Sequence, residues 1–199
     1  VGTKKQVDYS LHPLVVGEAF RTEDVRIEEL LPLETTSSGV CVFGLNNGCD
    51  DLPKIRAQNW GCSWRVEGVL GRETVKNEMK TKVTRRADFS RVTRQKMLNL
   101  LTKLRANARK AAFEVAEVEL QSSEAYALAT RGIPRPKLPS AQVIVDARLL
   151  LFKLPYFAIA VDAVGGDDVM MRCLAADIGA SLESLACPAR VIRRSLGPF

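Results

Sequence analysis

The side chains with the clearest chemical role in this sequence are basic and lie close together. Residues 72–110 hold 13 Lys or Arg residues and three Asp or Glu residues, a net charge of +10, whereas the whole chain of 199 residues carries +6. One basic face on a mildly acidic body is typical of proteins that bind polyanions, although a solvated helix face has the same composition. The side chains expected to contact phosphates are Lys80, Lys82, Arg85, Arg86, Arg91, Arg94, Arg193 and Arg194.

Metal and thiol chemistry have little support in the sequence. The five cysteines (Cys41, Cys49, Cys62, Cys173 and Cys187) form no CxxC pair, and the chain has a single histidine, His12. A structural zinc site needs paired ligands at short spacing. Disulfide frameworks are typical of shorter, cysteine-rich chains. We therefore expect no metal ion, no cofactor, and reduced thiols in a reducing compartment such as the cytosol, the nucleus or the mitochondrial matrix.

Composition excludes several classes of protein. The chain is 46% hydrophobic and 26% charged, which is typical of a folded, soluble domain and not of a disordered tail. Its longest apolar stretch, 149–164, is interrupted by Lys153, Pro155 and Asp162, whereas a membrane span needs about 20 apolar residues. The length suits one domain. Because the first residue is Val, we expect a processed chain or an excerpt of a longer one.

Hydrophobic patterns predict strands and helices that are interleaved along the chain. The clearest helix is 88–109, where Met97, Leu100 and Leu104 recur at three- and four-residue steps. Gly68, inside an alternating strand, predicts a bulge or a close approach. The predicted strands are 38–45, 64–70, 113–120, 141–151 and 156–164; the predicted helices are 50–59, 88–109, 122–131 and 168–182; and 72–86 and 133–140 are predicted loops. Without a regular strand–helix–strand repeat, the predicted class is mixed α+β.

Several segments in a fixed order resemble one protein family. They are HPLVVGEAF at 12–20, SGVCVFG at 38–44, EGVLG at 67–71, VTRQK at 92–96, QSSEAYALATRGIPRP at 121–136, MRCLAADIG at 171–179 and VIRRSLGPF at 191–199. Together they resemble the TruB-type pseudouridine synthases, and most closely the mitochondrial TruB-like paralogues of animals. The order and spacing of the segments carry the resemblance, which extends over nearly the whole chain.

The resemblance implies a fold and a cellular setting. The fold is one pseudouridine-synthase-like domain over 1–199, with a mixed, mainly antiparallel sheet, flanking helices and a cleft where RNA lies with one uridine flipped out. Two usual parts of the family are expected to be missing, the N-terminal strand with its Lys-Pro motif and a PUA RNA-binding domain. The implied partners in the mitochondrial matrix are ribosomal RNA, another pseudouridine-synthase-like subunit and ribosomal proteins, with no membrane.

The resemblance also implies site residues. In the family an aspartate acts on the flipped uridine so that the base detaches from the sugar and rejoins through carbon. Glu34 occupies the place of that aspartate, Leu31 the place of a glycine, and Arg172 the place of the arginine that pairs with the catalytic carboxylate. Among base-contacting positions, Trp64 and Met170 replace tyrosines, and Cys62 replaces a nearby lysine. One extra methylene moves the Glu34 carboxylate by about 1 Å, a displacement that can cost about 100-fold in rate.

Three functions remain open at this point. The first is an RNA-binding protein with a pseudouridine-synthase fold and a catalytically degenerate site, which assists ribosomal RNA folding or assembly of the large ribosomal subunit. The second is an active synthase that uses Glu34. The third is a structural subunit that contacts protein more than RNA. Uridine conversion that depends on Glu34 would reject the first, and RNA binding that is absent or independent of salt would favour the third.

Overall fold

The computed structural model describes residues 8–10, 12, 14–15, 22–115, 118–119, 121–131 and 142–199. The strands among these residues are β1 (Ile27–Leu30), β2 (Ser37–Gly39), β3 (Val42–Leu45), β4 (Gly61–Leu70), β5 (Arg72–Thr74), β6 (Val83–Arg86), β7 (Val143–Lys153), β8 (Tyr156–Val164) and β9 (Ala186–Leu196). The α-helices are α1 (Leu52–Ala57), α2 (Arg94–Val115), α3 (Ser123–Arg131) and α4 (Asp168–Ser181).

A central sheet has the strand order β2-β9-β4-β8-β7. β2 is parallel to β9, and the other neighbours are antiparallel. Two small ribbons, β1-β3 and β5-β6, flank this sheet. The predicted class is therefore confirmed as a mixed α+β fold with a mainly antiparallel sheet.

The core lies between the sheet and two helices. On β4, Cys62, Trp64 and Val66 are buried while the residues between them are half-buried, which is the alternation expected of a strand with one covered face. α4 contacts β9 and β4, and α2 contacts β7. Met97 on α2 and Met171 on α4 join the same hydrophobic cluster. The covered face of the sheet therefore carries Trp64 toward the helix that holds Arg172.

Several predicted elements are confirmed. The strand 64–70 lies within β4, the strands 141–151 and 156–164 match the β7–β8 hairpin, and the helices 122–131 and 168–182 match α3 and α4. The Ser122 hydroxyl accepts a hydrogen bond from the Ala125 amide at 3.1 Å, as an N-cap does. β4 has a register shift between Glu67 and Gly68, and a Cβ on Gly68 would lie 2.2 Å from the Phe157 ring. Both the bulge and the close approach are therefore present.

Other element predictions are wrong. The segment 72–86 is the β5–β6 hairpin, whose ends pair Arg72 with Arg86. The predicted strand 113–120 begins inside α2, which continues to Val115, and residues 118–119 form no regular structure. The predicted strand 38–45 divides into β2 and β3, because Gly39 has a φ of 132° where the chain leaves β9. The helix 88–109 begins only at Arg94. The predicted loop 133–140 lies outside the described residues.

Candidate active site

Glu34 and Arg172 form the ion pair that the resemblance implied. Glu34 lies in the connection between β1 and β2, and Arg172 lies on α4, 138 residues later. The Arg172 Nη2 donates a short hydrogen bond to the Glu34 Oε2. The Arg172 side chain is 7% exposed, whereas that of Glu34 is 49% exposed. The pair therefore joins a buried cation to a carboxylate that reaches solvent.

A second carboxylate lies near the same arginine. The Glu78 Oε1 is 3.7 Å from the Arg172 Nη1, whereas Glu34 contacts the Nη2. Glu78 lies in the connection between β5 and β6. Sequence reasoning missed this residue, although a signal existed, since Glu78 is one of only three acidic residues in the basic segment 72–110.

A cavity of about 330 Å³ lies beside the ion pair. Its lining comes from five parts of the fold: the end of β1 with the stretch after it, α1 with the residues that follow it, the first residues of β4, the turn before α4 with the first residue of α4, and β9. The lining residues that bear on the site are Leu31, Leu33, Cys62, Trp64, Asp168 and Arg193. Glu34, Arg172 and Met170 do not line it. The structure therefore brings Trp64 to the cavity but leaves Met170 beside it.

Trp64 is almost fully enclosed at the edge of this cavity. Its side chain is 1% exposed, and the Arg193 guanidinium carbon lies 5.8 Å from the ring centroid. A cation at this distance interacts favourably with the ring. Arg193 therefore covers one face of the Trp64 ring.

Arg193 does not lie where a phosphate contact requires it. It is 3% exposed, and its guanidinium donates to the carbonyls of Val40 at 2.8 Å and Leu31 at 2.7 Å. The prediction that Arg193 contacts phosphate does not fit this position, because the β9 residue that pairs with Trp64 in the sheet turns its guanidinium into the interior. Arg194, the next residue, is exposed.

The other basic residues predicted to contact phosphates are on the surface. They are Lys80, Lys82, Arg85, Arg86, Arg91 and Arg94. Lys80 and Lys82 lie in the same β5–β6 connection as Glu78, the residue 3.7 Å from Arg172. Arg85 is engaged by Glu73 at 2.5 Å, and its hydrogen bond holds the pKa of Glu73 below its ordinary value. Phosphate binding by this surface stays a prediction.

Comparison with known proteins places this arrangement in a family. The profile described as "TruB family pseudouridylate synthase (N terminal domain)" matches residues 32–168. This chain belongs to the TruB family. It is 30% identical over 188 residues to the mitochondrial pseudouridylate synthase TRUB2 of Xenopus tropicalis and to that of Homo sapiens, which covers 94% of this chain and 57% and 56% of those proteins. The chain thus spans a little over half the length of these TruB relatives.

Solved structures support the fold of this TruB-family chain. The archaeal box H/ACA sRNP Nop10-Cbf5 complex matches with a TM-score of 0.54 and 14% identity, over 87% of this chain and 39% of that one. An H/ACA RNP bound to a substrate RNA containing 2'-deoxyuridine matches with a TM-score of 0.55 and 14% identity, with the same coverage. At this level of identity the likeness concerns the fold.

Cys62, which lines the cavity, has the properties of an unreactive thiol. Cys62 is 3% exposed, and burial raises the pKa of its thiol while the charge of Arg193 opposes that shift. A protonated thiol is a poor nucleophile. All five cysteines are free, and no group of three or more potential metal ligands occurs among the described residues. Within those residues, no helix combines the length and the apolar character needed to cross a membrane.

Proposed function

We propose that this chain is an RNA-binding member of the TruB family whose site has lost catalytic turnover. We further propose that it acts in the mitochondrial matrix, in the folding of ribosomal RNA or the assembly of the large ribosomal subunit. The names of its mitochondrial relatives support the compartment. The proposed partners are ribosomal RNA, ribosomal proteins and another pseudouridine-synthase-like subunit.

The enclosure of Trp64 carries the proposal of lost turnover. Base stacking needs an open aromatic face, but Trp64 is 1% exposed and the Arg193 guanidinium lies over its ring. Met170, the other expected base contact, does not line the cavity. An acid one methylene longer than aspartate adds to these changes. The Glu34–Arg172 pair is therefore kept beside the pocket, while Trp64 offers no open face to a flipped base.

The exposed basic surface supports RNA binding. Seven of the eight residues predicted to contact phosphates are exposed, and two of them, Lys80 and Lys82, lie in the same β5–β6 connection as Glu78, which is 3.7 Å from Arg172. Phosphate contacts release counterions, so the logarithm of the affinity should fall linearly with the logarithm of salt concentration. The cations are exposed, whereas Trp64 is enclosed. This difference is what we expect of a surface that binds RNA next to an inactive pocket.

The binding test compares the chain with a charge-reduced variant. Fluorescence anisotropy would follow a fragment of mitochondrial large-subunit ribosomal RNA between about 50 and 200 mM salt. Replacing Arg86, Arg91 and Arg94 by Gln should weaken binding and reduce the salt slope by about two to three, since each lost phosphate contact removes about 0.7–0.9. Lys54→Gln is the control, because Lys54 pairs with Asp51 outside the basic segment. Binding that is absent or independent of salt would overturn the RNA proposal in favour of a protein-contacting subunit.

An active synthase is the second candidate, and the Glu34–Arg172 pair favours it. Arg172 holds the Glu34 carboxylate, and the resemblance implies that the family's arginine pairs with the catalytic carboxylate in the same way. The test is pseudouridine formation in the same RNA by the wild-type chain and by Glu34→Ala. We expect no product from either protein. Product from the wild type that disappears in Glu34→Ala would show that turnover is retained and would overturn the proposal.

A further inference from the structure

The stretch from Leu31 to Glu34 is held at both ends by buried charged side chains. At its first residue, the Arg193 Nη1 donates to the Leu31 carbonyl at 2.7 Å. At its last residue, the Glu34 amide donates to the Asp168 Oδ2 at 2.8 Å. Arg193 is 3% exposed and Asp168 is 4% exposed. Two ionic side chains from different elements, β9 and α4, therefore fix the backbone that carries Glu34.

This stretch needs external support because its backbone is strained. Leu31 has a φ of 52°, in the left-handed region that side chains other than Gly rarely adopt. The next residue is Pro32, and the ring of a proline further disfavours helical conformations at the residue before it. Such a conformation persists only where the surrounding structure imposes it. The hydrogen bonds from Arg193 and to Asp168 provide that constraint.

We propose that Asp168 is a positioning residue for Glu34. Asp168 lies one helical turn before Arg172 on α4. The helix thus holds residue 34 at two points, its amide through Asp168 and its carboxylate through Arg172. With the amide fixed, the longer side chain of Glu34 extends to the Arg172 guanidinium from a defined backbone position.

The role of Asp168 differs from that of an ordinary helix cap. The N-cap of α4 is Asp167, whose Oδ1 accepts from the Met170 amide at 2.7 Å. Asp168 follows it, and its hydrogen bond in the structure runs to another part of the chain, 134 residues away. A carboxylate this buried is costly unless a partner offsets its desolvation. The Glu34 amide and the positive end of α4 supply that compensation.

The first test follows amide hydrogen exchange at residue 34 by NMR, on the full chain without RNA. Asp168→Ala removes the acceptor and should accelerate exchange of the Glu34 amide by about tenfold or more. Asp168→Asn keeps a carbonyl acceptor and should stay within about threefold of the wild type. Asp177→Asn, on the exposed part of α4, is the control and should change nothing. Equal exchange in Asp168→Ala and the wild type would overturn the proposal.

A second measurement separates positioning from general support. If Asp168 acts through Glu34, the two residues are energetically coupled. Glu34→Ala should then lower the free energy of unfolding by less in the Asp168→Ala background than in the wild type. In the Asp168→Asn background, Glu34→Ala should lower the free energy of unfolding by nearly as much as in the wild type. Additive effects would overturn the proposal. If Asp168→Ala does not fold, Asp168→Asn decides: the Glu34 amide proton should shift upfield, because a neutral acceptor polarises the N–H bond less, and an unchanged resonance would overturn the proposal.

The inference deepens the proposed function, since its relevance to RNA rests on that function. The two can fail separately. Hydrogen exchange and the thermodynamic cycle are measured without RNA, so a chain that binds no RNA would still show whether Asp168 positions Glu34. Conversely, salt-dependent RNA binding with no effect of Asp168→Ala on residue 34 would remove the positioning role and leave the proposed function standing.

Discussion

Arg172 is buried with its Nη2 on the Glu34 carboxylate and its Nη1 3.7 Å from Glu78. One cation therefore contacts two carboxylates, one from the β1–β2 connection and one from the β5–β6 connection. The two contacts differ, since the first is a hydrogen bond and the second is a longer ion pair. Glu34 is consequently the stronger partner of Arg172, and removing it should affect the whole site.

Glu34→Ala should lower the free energy of unfolding by about 1–2 kcal/mol. Removing one partner of a hydrogen bond between charged groups leaves the other partly unpaired, and the half-exposed position of Glu34 reduces the cost through solvent screening. Glu34→Asp should lie between Glu34→Ala and the wild type, because its carboxylate falls short of Arg172 by about 1 Å. Urea unfolding measures all three. Asp177→Asn, which removes an exposed carboxylate on α4, is the control and should change stability by less than about 0.5 kcal/mol.

The sequence predicts the site only where a residue can be matched to one position of the family's pattern. The family's pattern assigns Glu34 to the place of the catalytic aspartate and Arg172 to the place of its arginine partner, and the structure pairs them. For Arg193 the sequence predicts a phosphate contact, because arginines next to a cleft suit one. Only the pairing of Arg193 with Trp64 across β9 and β4 turns it inward. Sequence spacing does not contain that register.

Long-range pairing also explains the missed elements. The β5–β6 hairpin lacks apolar alternation, so its strands depend on pairing with each other and not on local preference. β9, the C-terminal strand, lies between β2 and β4, yet its arginines concealed its burial in the sequence. By contrast, α4 has an N-cap and apolar residues at four-residue steps, which are local signals, and it was predicted almost to its ends.

Gly68→Ala should destabilise the fold by about 1–3 kcal/mol, because a new methyl group in a packed core forces its neighbours to move. The added Cβ would lie 2.2 Å from the Phe157 Cζ, near one end of the β4–β8 pair, where both residues are buried. Gly48→Ala is the matched control, since no atom lies within 4 Å of the corresponding Cβ. Thermal unfolding of the two variants should differ clearly, and equal midpoints would contradict the packing at Gly68.

Leu31 offers a test of backbone strain. Leu31→Ala and Leu31→Gly both lose the side chain, but only glycine adopts a φ of 52° without cost. We therefore expect Leu31→Gly to be more stable than Leu31→Ala by about 1 kcal/mol. This reverses the usual order, in which alanine is the more stable. Chemical denaturation of the pair decides, and an alanine variant at least as stable as the glycine variant would show that Leu31 is unstrained.

Glu73→Gln should increase RNA affinity. Glu73 holds Arg85 in an ion pair at 2.5 Å, and the substitution frees that guanidinium and removes a negative charge from the basic surface. The salt slope should steepen by about 0.7–0.9 if Arg85 then contacts a phosphate. Because the hydrogen bond from Arg85 lowers the pKa of Glu73, the ion pair holds at neutral pH and is lost only as pH falls through that lowered value. Arg85→Gln is the opposing variant and should weaken binding; an unchanged affinity in both would exclude this hairpin from the RNA contact.

Cys62 should make the fold less stable at alkaline pH. Burial raises the pKa of this thiol above its ordinary value of 9.0, so the unfolded chain ionises before the folded one does. A group with a raised folded-state pKa stabilises the protein below the unfolded value, and that contribution disappears as pH rises toward the folded value. The loss should not exceed about 1.4 kcal/mol per pH unit. Urea unfolding between pH 7 and pH 10 (a range of about three units around the thiol pKa) measures how the free energy of unfolding falls with pH. The decline should be shallower for Cys62→Ala than for Cys41→Ala, which removes an exposed thiol and keeps Cys62. Identical declines would mean that the Cys62 thiol ionises as freely in the folded chain as in the unfolded one.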